Sequence, residues 1–426
     1  MPAALPRPAR LTALDAFRGF VMLLMAAELL ELPGVARHFP DSAVWQFIAR
    51  HTSHVAWTGC SLHDLIQPSF SFIVGVALPF SLGARLARGE KPAALWLHAL
   101  WRSLLLVLLG VFLRSIGSPI TNWTFEDTLS QIGLGYPFLF LLGFAGGMLR
   151  WTALAALLAG YWLVFALFPL APPDFNYTAA NVKPNWPHHF EGFAAHWNIN
   201  SNAAWAFDVW FLNLFPRELP FVGNRGGYST LSFIPTLATM VLGLIAGAWL
   251  KRAGEEAPDA PEGGTTQLST ASAAAPTSVP KPQDTPAMAA TVRLIYAGLA
   301  CLAAGWVLHT TGICPIVKKL WTPAWTLFSG GWCFLLMATF YFITDVQGWK
   351  RWAFPLVVVG MNSIAMYVLA HTVTDFFKEA LVTHFGKSPF LVLGESLEPV
   401  LLGGCVLLIL WLILWWMYRR NIFLRV

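Results

Sequence analysis

One short stretch of this sequence concentrates side chains that could do acid–base chemistry. Three histidines, His51, His54 and His63, are followed directly by Asp64. A histidine that is neutral near pH 7 can accept a proton, and a neighbouring carboxylate fixes its tautomer. A zinc site on the three histidines is a second interpretation, but their spacing matches no established zinc motif. Histidines in a polar loop are also often merely solvated or interfacial, so the residue types alone do not identify a substrate.

The first apolar run carries three ionisable residues, which are costly inside a membrane and therefore often functional. Asp15 and Arg18 are three positions apart, so they share a helix face and can form an ion pair. Glu28 lies about 15 Å further along the same helix axis, near the outer mouth of the span. We expect a structural role for Asp15 and Arg18, and we expect Glu28 to face a wet cavity or a cation.

Apolar helices must position these residues, because the composition is that of a membrane protein. Of 426 residues, 56% are hydrophobic and 12% are charged, whereas soluble domains carry about 25% charged residues. The apolar runs reach the roughly 20 residues needed to cross a bilayer. The sequence predicts an all-α integral membrane protein, a polytopic bundle of about ten transmembrane helices. The predicted spans are 14–32, 64–84, 94–114, 127–147, 152–170, 230–250, 292–311, 324–344, 352–373 and 398–418.

The distribution of basic residues predicts the orientation of the bundle. Ten spans place both termini on one side, and lysines and arginines favour the short loops of that side, as the positive-inside rule requires of cytoplasmic loops. We therefore predict cytoplasmic termini and a multi-pass protein of the bacterial inner membrane. The same rule accounts for the net charge of +5, so no nucleic-acid partner is expected. The N-terminus resembles a signal peptide, but its long, charged apolar run predicts a retained first helix.

Composition also divides the chain. Residues 1–252 are predicted to form a first six-helix membrane segment, with an extracytoplasmic cap at 171–229 that is rich in tryptophan and phenylalanine. Residues 253–290, rich in Ala, Pro, Ser and Thr, predict a disordered cytoplasmic linker. Residues 291–426 predict a second four-helix segment of the same membrane domain. The mixed stretch 374–397 favours an interfacial or re-entrant segment over a further span.

The five cysteines give no sign of a metal centre. They are widely scattered, several lie inside apolar runs, and their spacing matches no metal-binding motif. We therefore interpret them as small buried hydrophobic residues and expect no metal. The cysteines are Cys60, Cys301, Cys314, Cys333 and Cys405.

Four ordered blocks of the sequence resemble a known family. The first block joins a motif from Arg10 to Gly19 with one that runs from His54 through Trp57, Gly59, Asp64 and on to Gly75. These and the later blocks resemble the heparan-α-glucosaminide N-acetyltransferase family and its bacterial relatives, within the wider transmembrane acyltransferase group. The cap and the linker match poorly. The later blocks are residues 315–325 with 345–349, residues 360–368, and the tail at 419–423.

The resemblance implies a reaction across the membrane. Members of the family transfer an acetyl group from cytosolic acetyl-CoA to an amino sugar on the far side, and their key histidine corresponds to His54. The lysosomal members carry an asparagine late in the first span, where this chain has Glu28 and Leu29. We therefore expect a saccharide acceptor whose identity or binding differs, reacting through an amine or a hydroxyl. A homodimer is implied by analogy, and the lipid bilayer is the remaining expected partner.

We assign catalytic and substrate-binding roles to individual residues as hypotheses. His54 is the predicted base or transient acetyl carrier, and Asp64 orients it. The predicted substrate-binding residues at the outer mouth are Glu28, Trp57, Lys318, Lys319, Trp321, Asn362 and His371. Helix packing is an equal alternative for Asn362, and an interfacial belt is an equal alternative for the lysines and Trp321.

Two further alternatives stay open. Arg85 and Arg102 are candidates for binding acetyl-CoA at the cytosolic end by charge and side alone, and a topology signal is their default interpretation. A transporter or flippase for a glycan or lipid precursor would also need charged residues along its path. Release of CoA that depends on His54 would separate an acyltransferase from a transporter.

Overall fold

The computed structural model describes residues 11–256 and 285–424. In these two stretches the regular structure is helical, apart from one isolated bridge between Thr58 and Val317. The helices are α1 Thr12–Ala26, α2 Leu32–Ala36, α3 Ala43–His51, α4 Ile66–Ala87, α5 Pro92–Ser115, α6 Thr128–Gly143, α7 Gly147–Ala166, α8 Ala203–Phe211, α9 Phe233–Glu255, α10 Pro286–Thr310, α11 Pro323–Tyr341, α12 Phe354–Met361, α13 Ser363–Thr372, α14 Thr374–Phe385 and α15 Glu398–Arg419.

The helices confirm a polytopic helical membrane protein. Within the described residues, 7 helices are long and apolar enough to cross a membrane, and the bent pair α12 and α13 would make 8. The two remaining predicted spans coincide with α1 and α6, which have 15 and 16 residues and are short for a crossing. A helix therefore occupies each predicted span, while the number ten and the orientation stay predictions.

The first predicted span ends earlier than the apolar run suggests. After α1 the chain tightens into a 3-10 turn at Ala27–Leu30, and Glu31 then adopts a left-handed φ of 48°. At the other end, Asp345 accepts hydrogen bonds from the backbone N–H groups of Thr12 and Ala13, at 3.2 and 2.7 Å. These contacts hold α1 in place and set Glu28 on the turn that follows it.

The linker predicted at 253–290 is shorter than the composition suggests at both ends. Helix α9 continues to Glu255 and α10 begins at Pro286. The part at 257–284 lies outside the described residues. The mixed stretch 374–397 contains α14 and two short 3-10 turns rather than a further long apolar helix.

Helix α9 lies at the centre of the bundle and packs closely against α4. In its apolar window 78% of the residues are buried. A Cβ atom on Gly75 of α4 would overlap the carbonyl oxygen of Met240, and one on Gly243 of α9 would overlap that of Phe72. Small residues allow two helix backbones to approach closely in a membrane. This contact positions α4, which begins directly after the turn that carries Asp64.

Residues 171–229, which we call the cap, have a core of their own against the ends of α7 and α11. Trp197 of the cap packs with Phe165 of α7 and with the buried Trp57, Trp321 and Trp325. Three asparagines of the cap are buried and hydrogen-bond to backbone groups within it. The cap therefore packs as part of the structure, while its extracytoplasmic location stays a prediction.

Candidate active site

A polar cavity of about 540 Å³ lies where the ends of several helices meet. Its walls come from the end of α1, the loop before α4, the α5–α6 connection and α13. Glu28, His54, Lys318 and His371 line it. The structure therefore brings together four predicted site residues from segments that are far apart in sequence.

The loop between α3 and α4 is shaped around Asp64. Helix α3 ends at His51, and the loop then folds back until a 3-10 turn at His63–Leu65 leads into α4. Asp64 Oδ2 accepts hydrogen bonds from the backbone N–H groups of Val55 and Ser61, at 3.3 and 3.0 Å. Because the Asp64 carboxylate is buried, these bonds both satisfy its charge and fix the loop.

His54, Asp64 and Lys318 form a compact triad. The distance from His54 Nδ1 to Asp64 Oδ1 is 2.9 Å, and Lys318 Nζ lies 2.9 Å from the same His54 nitrogen and 3.1 Å from Asp64 Oδ1. Nδ1 can either donate to Asp64 or accept from Lys318, but it cannot do both. When it donates to Asp64, Nε2 carries the free lone pair that a general base needs.

The three side chains of the triad differ in their exposure to solvent. The His54 side chain is 41% exposed, whereas the Asp64 and Lys318 side chains are 0% and 6% exposed. Only the histidine is therefore open to a substrate in the cavity.

The surroundings keep His54 neutral near pH 7. Burial is the largest influence that lowers the pKa of His54, and the nearby Lys318 ammonium lowers it further, against the opposing effect of Asp64. Burial likewise lowers the pKa of Lys318, and Asp64 opposes this shift. A neutral imidazole is the form that can remove a proton.

Lys318 is positioned by the segment before α11. The Gly59 N–H donates to the Ile316 carbonyl at 3.1 Å, next to the bridge between Thr58 and Val317. This contact joins the histidine loop to the lysine segment. Lys318 is thus a buried partner of Asp64 on the cavity wall, and its substrate-binding role stays a prediction.

Glu28 and His63 form a second pair beside the triad. Glu28 Oε1 and His63 Nε2 are 2.6 Å apart, and the His63 ring centroid lies 4.6 Å from that of His54. One ligand atom from each of Glu28, His54 and His63 lies within 4.8 Å of the others, so these three residues could hold a metal ion. His51 is not in this group; its ring packs against Phe47, and its Nδ1 accepts a hydrogen bond from the Leu62 N–H at 3.4 Å. The structure thus corrects the three-histidine zinc interpretation.

The opposite wall of the cavity carries charged residues that were not predicted as site residues from the sequence. Asp127 accepts hydrogen bonds from Arg114 Nε at 3.2 Å and from the Tyr367 hydroxyl at 3.0 Å. Glu126 Oε2 accepts from the Asn224 side chain at 2.5 Å, and burial raises the pKa of Glu126. The available signal was an Arg at the end of one predicted span and two acidic residues at the start of the next.

His371 lies in the cavity as predicted. It is exposed, its Nδ1 contacts the Tyr367 carbonyl oxygen at 2.7 Å, and its ring stacks on the Tyr367 ring. With Nδ1 donating to that carbonyl, Nε2 is left as an acceptor. His371 is therefore available to a substrate held between the two walls.

Four other predicted substrate-binding residues are placed elsewhere or only at the edge. Trp57 and Trp321 are 1% and 2% exposed and belong to the aromatic core under the cap. Asn362 is buried where α12 ends, and its side chain bonds to backbone atoms of Ile422 and Leu424. Lys319 packs over the Tyr228 ring, 5.8 Å from its centroid.

These placements have simple physical reasons. A tryptophan near a polar loop can pack inward as well as line a surface, because its large ring gains most from burial. Asn362 breaks the ninth predicted span, since α12 and α13 meet there at 67°, and its amide satisfies backbone groups of the chain end. These contacts favour the packing alternative for Asn362.

The charged residues predicted near the cytoplasmic end of the bundle each contact another side chain. Arg85 forms an ion pair with Glu90 at 3.4 Å. Arg102 donates to the Tyr136 hydroxyl at 3.2 Å and lies over the same ring. Asp15 and Arg18 are 3.5 Å apart, which confirms the predicted ion pair.

The fold and the cavity define a class: a polytopic helical membrane protein with a histidine–carboxylate site where its helix ends meet. No family model matches the chain. It is 23% identical over 460 residues to heparan-alpha-glucosaminide N-acetyltransferase of Homo sapiens, an alignment that covers 98% of this chain and 60% of the human protein. The Mus musculus protein of the same name is 32% identical over 104 residues, 24% of this chain and 14% of that protein. The chain thus spans about three-fifths of the length of the human relative, and the similarity confirms the resemblance predicted from the motifs.

Proposed function

We propose that this protein is a membrane-embedded acetyltransferase that passes an acetyl group from acetyl-CoA to an amine or hydroxyl of a saccharide. The observation that carries the proposal is the 2.9 Å contact between His54 and a buried Asp64 on the wall of a polar cavity. The similarity to two proteins named N-acetyltransferases supports the reaction type. His54 is also the position at which the family resemblance expects the key histidine.

The proposed step uses His54 as a general base. His54 Nε2 accepts the proton of the acceptor N–H or O–H while the acceptor atom attacks the acetyl carbonyl carbon. The carbon–sulfur bond then breaks, and the CoA thiolate takes up the proton from the imidazolium. The products are an acetylated saccharide and free CoA thiol, and Asp64 stabilises the imidazolium that forms in between.

Glu28 and His371 complete the acceptor side in this proposal. Both line the cavity that His54 lines, so a saccharide held between the two walls would meet them by hydrogen bonds. Because Glu28 replaces the asparagine of the lysosomal members, we infer that the Glu28 carboxylate binds the acceptor here, in place of an asparagine amide.

The donor enters from the cytosolic end in this proposal. The predicted orientation places the cavity on the extracytoplasmic side of a bacterial inner membrane, and Arg85 and Arg102 at the opposite end. Their present partners, Glu90 and Tyr136, would have to be exchanged for CoA phosphates. A homodimer is retained as part of the proposal from the family resemblance.

The test uses the purified full chain in lipid nanodiscs. Acetyl-CoA is supplied with glucosamine or a glucosamine oligosaccharide, and both free CoA thiol and acetylated sugar are measured. We expect His54→Ala to lower the rate by about 10²–10⁴-fold, while the matched control His51→Ala keeps it. Full activity in His54→Ala would overturn the assignment.

The same preparation separates two further possibilities. Incubation with radiolabelled acetyl-CoA and no acceptor tests for a covalent step, since label retained on His54 would identify an acetyl carrier and its absence a direct transfer. Accumulation of unmodified saccharide inside sealed proteoliposomes, without release of CoA, would instead establish the transporter or flippase.

A further inference from the structure

We propose that Glu28, His54 and His63 form a binding site for a divalent transition metal ion of the zinc type, and that metal binding silences His54. The binding part is independent of the acetyltransferase proposal, and only the silencing part rests on it. The proposal departs from the expectation of no metal that the sequence gives. It follows from a convergence that only the folded chain creates, because 35 residues separate Glu28 from His63.

The distances suit a metal after a small adjustment. The three ligand atoms lie within 4.8 Å of one another, and Glu28 Oε1 and His63 Nε2 are 2.6 Å apart. Zinc binds nitrogen and oxygen ligands at about 2.0–2.2 Å in tetrahedral geometry, which separates neighbouring ligand atoms by about 3.4 Å. The Glu28–His63 contact must therefore open by about 0.8 Å, starting from 2.6 Å, and a pair of ligand atoms at the 4.8 Å limit must close by about 1.4 Å. The Glu28 side chain is 60% exposed and free to move into the cavity.

The surroundings of the two histidine ligands favour metal coordination. Histidines that bind metals usually donate their other ring nitrogen to a carboxylate or carbonyl group. His54 meets this condition through Asp64, at 2.9 Å from Nδ1, which leaves Nε2 for a metal. His63 is buried, at 3% exposure, so its ring is already held in one orientation.

The local charge also favours a cation. Glu28 and Asp64 contribute two negative charges, and Lys318 contributes one positive charge beside them. Two neutral imidazoles and one carboxylate are a donor set that suits Zn²⁺, Co²⁺ or Ni²⁺ better than Mg²⁺ or Ca²⁺. The cavity leaves the remaining coordination position open to water.

Metal binding and base catalysis exclude each other at His54. A metal on Nε2 occupies the lone pair that would accept the proton of the acceptor. Zinc is therefore expected to inhibit the reaction at the concentrations at which it binds.

The test measures binding without acetyl transfer. The purified full chain is stripped with a chelator and titrated with Co²⁺, and its visible absorption bands report coordination geometry. We expect one Co²⁺ per chain, displaced by Zn²⁺. We expect His63→Ala and Glu28→Gln each to weaken binding by more than the roughly 10–100-fold that loss of a supporting partner costs.

The variants make the outcome unambiguous. His384→Ala removes an exposed histidine of α14 and is the matched control, expected to bind Co²⁺ as the wild type does. Glu28→Gln keeps the size and hydrogen bonding of the side chain, so this variant is expected to fold normally. A loss of Co²⁺ binding in Glu28→Gln therefore reports the loss of the carboxylate ligand, even where His63→Ala misfolds. Absence of Co²⁺ bands, or bands unchanged in both cavity variants, would overturn the site. Acetyl transfer that persists without metal binding would leave the proposed function intact.

Discussion

Lys318 and Asp64 form a buried ion pair, with 3.1 Å between Nζ and Oδ1, although 254 residues separate them in the sequence. The pair joins the two halves of the chain beneath His54. Its ammonium also lies 2.9 Å from His54 Nδ1, so it influences both the stability of the site and the protonation of the histidine.

Replacing Lys318 by methionine is expected to move the pH profile. The ammonium lowers the pKa of His54, so its removal raises that pKa toward the ordinary value. Because the neutral imidazole is the active form, the acid limb of kcat/KM against pH shifts to higher pH. The profile of CoA release measures this shift, with Lys319→Met as the neighbouring control. A limb that stays in place in Lys318→Met would contradict the assigned role.

Replacing Asp64 by asparagine is expected to destabilise the protein. The change leaves the Lys318 charge buried without its counter-ion, which typically costs about 3–5 kcal/mol. The double variant Asp64→Asn with Lys318→Met removes both charges, so part of the lost stability returns. Thermal unfolding in detergent measures the free energies for this double-mutant cycle. Additive effects would mean that the two residues do not interact energetically.

The Tyr367 hydroxyl supports the opposite wall of the cavity through Asp127. Tyr367→Phe removes a hydrogen bond to a carboxylate, which is expected to cost about 1.5–3 kcal/mol of stability. If the wall binds the acceptor, KM for the acceptor rises several-fold while the acid limb of the pH profile stays in place. Tyr296→Phe, on an exposed face of α10, is the control. A shift of the acid limb would instead assign Tyr367 to the proton transfer.

The helices were predictable from the sequence because the length of an apolar run is a local property. The run after Phe233 and the run after Pro323 each became a long helix close to the predicted bounds. The ends were less predictable, since α1 stops at Ala26 where a 3-10 turn takes over. That turn depends on contacts with other helices, which a single sequence does not reveal.

The site was predictable only in part. His54 and Asp64 lie ten positions apart in one motif, so their proximity could be inferred. Lys318 could be named but not placed, because its partner is set by how α4 and α11 pack. Asn362 could not be assigned either, because a polar residue inside a span can bind a substrate or pack against another segment. Its contacts with the C-terminal segment, which favour packing, are not visible in the sequence.

The packing of α4 against α9 gives a test of the fold that is independent of the chemistry. In Gly75→Ala the new methyl group would overlap the Met240 carbonyl oxygen, so the two helices must separate. Overpacking of this kind costs about 1–3 kcal/mol or more, and we expect a lower unfolding temperature in detergent. Gly160→Ala in α7 is the matched control, because its added methyl group meets no atom within 4 Å. Alanine favours a helix over glycine by up to about 1 kcal/mol, so this control stays as stable as the wild type or gains stability. Equal unfolding temperatures for the two variants would show that α4 and α9 do not depend on this close contact.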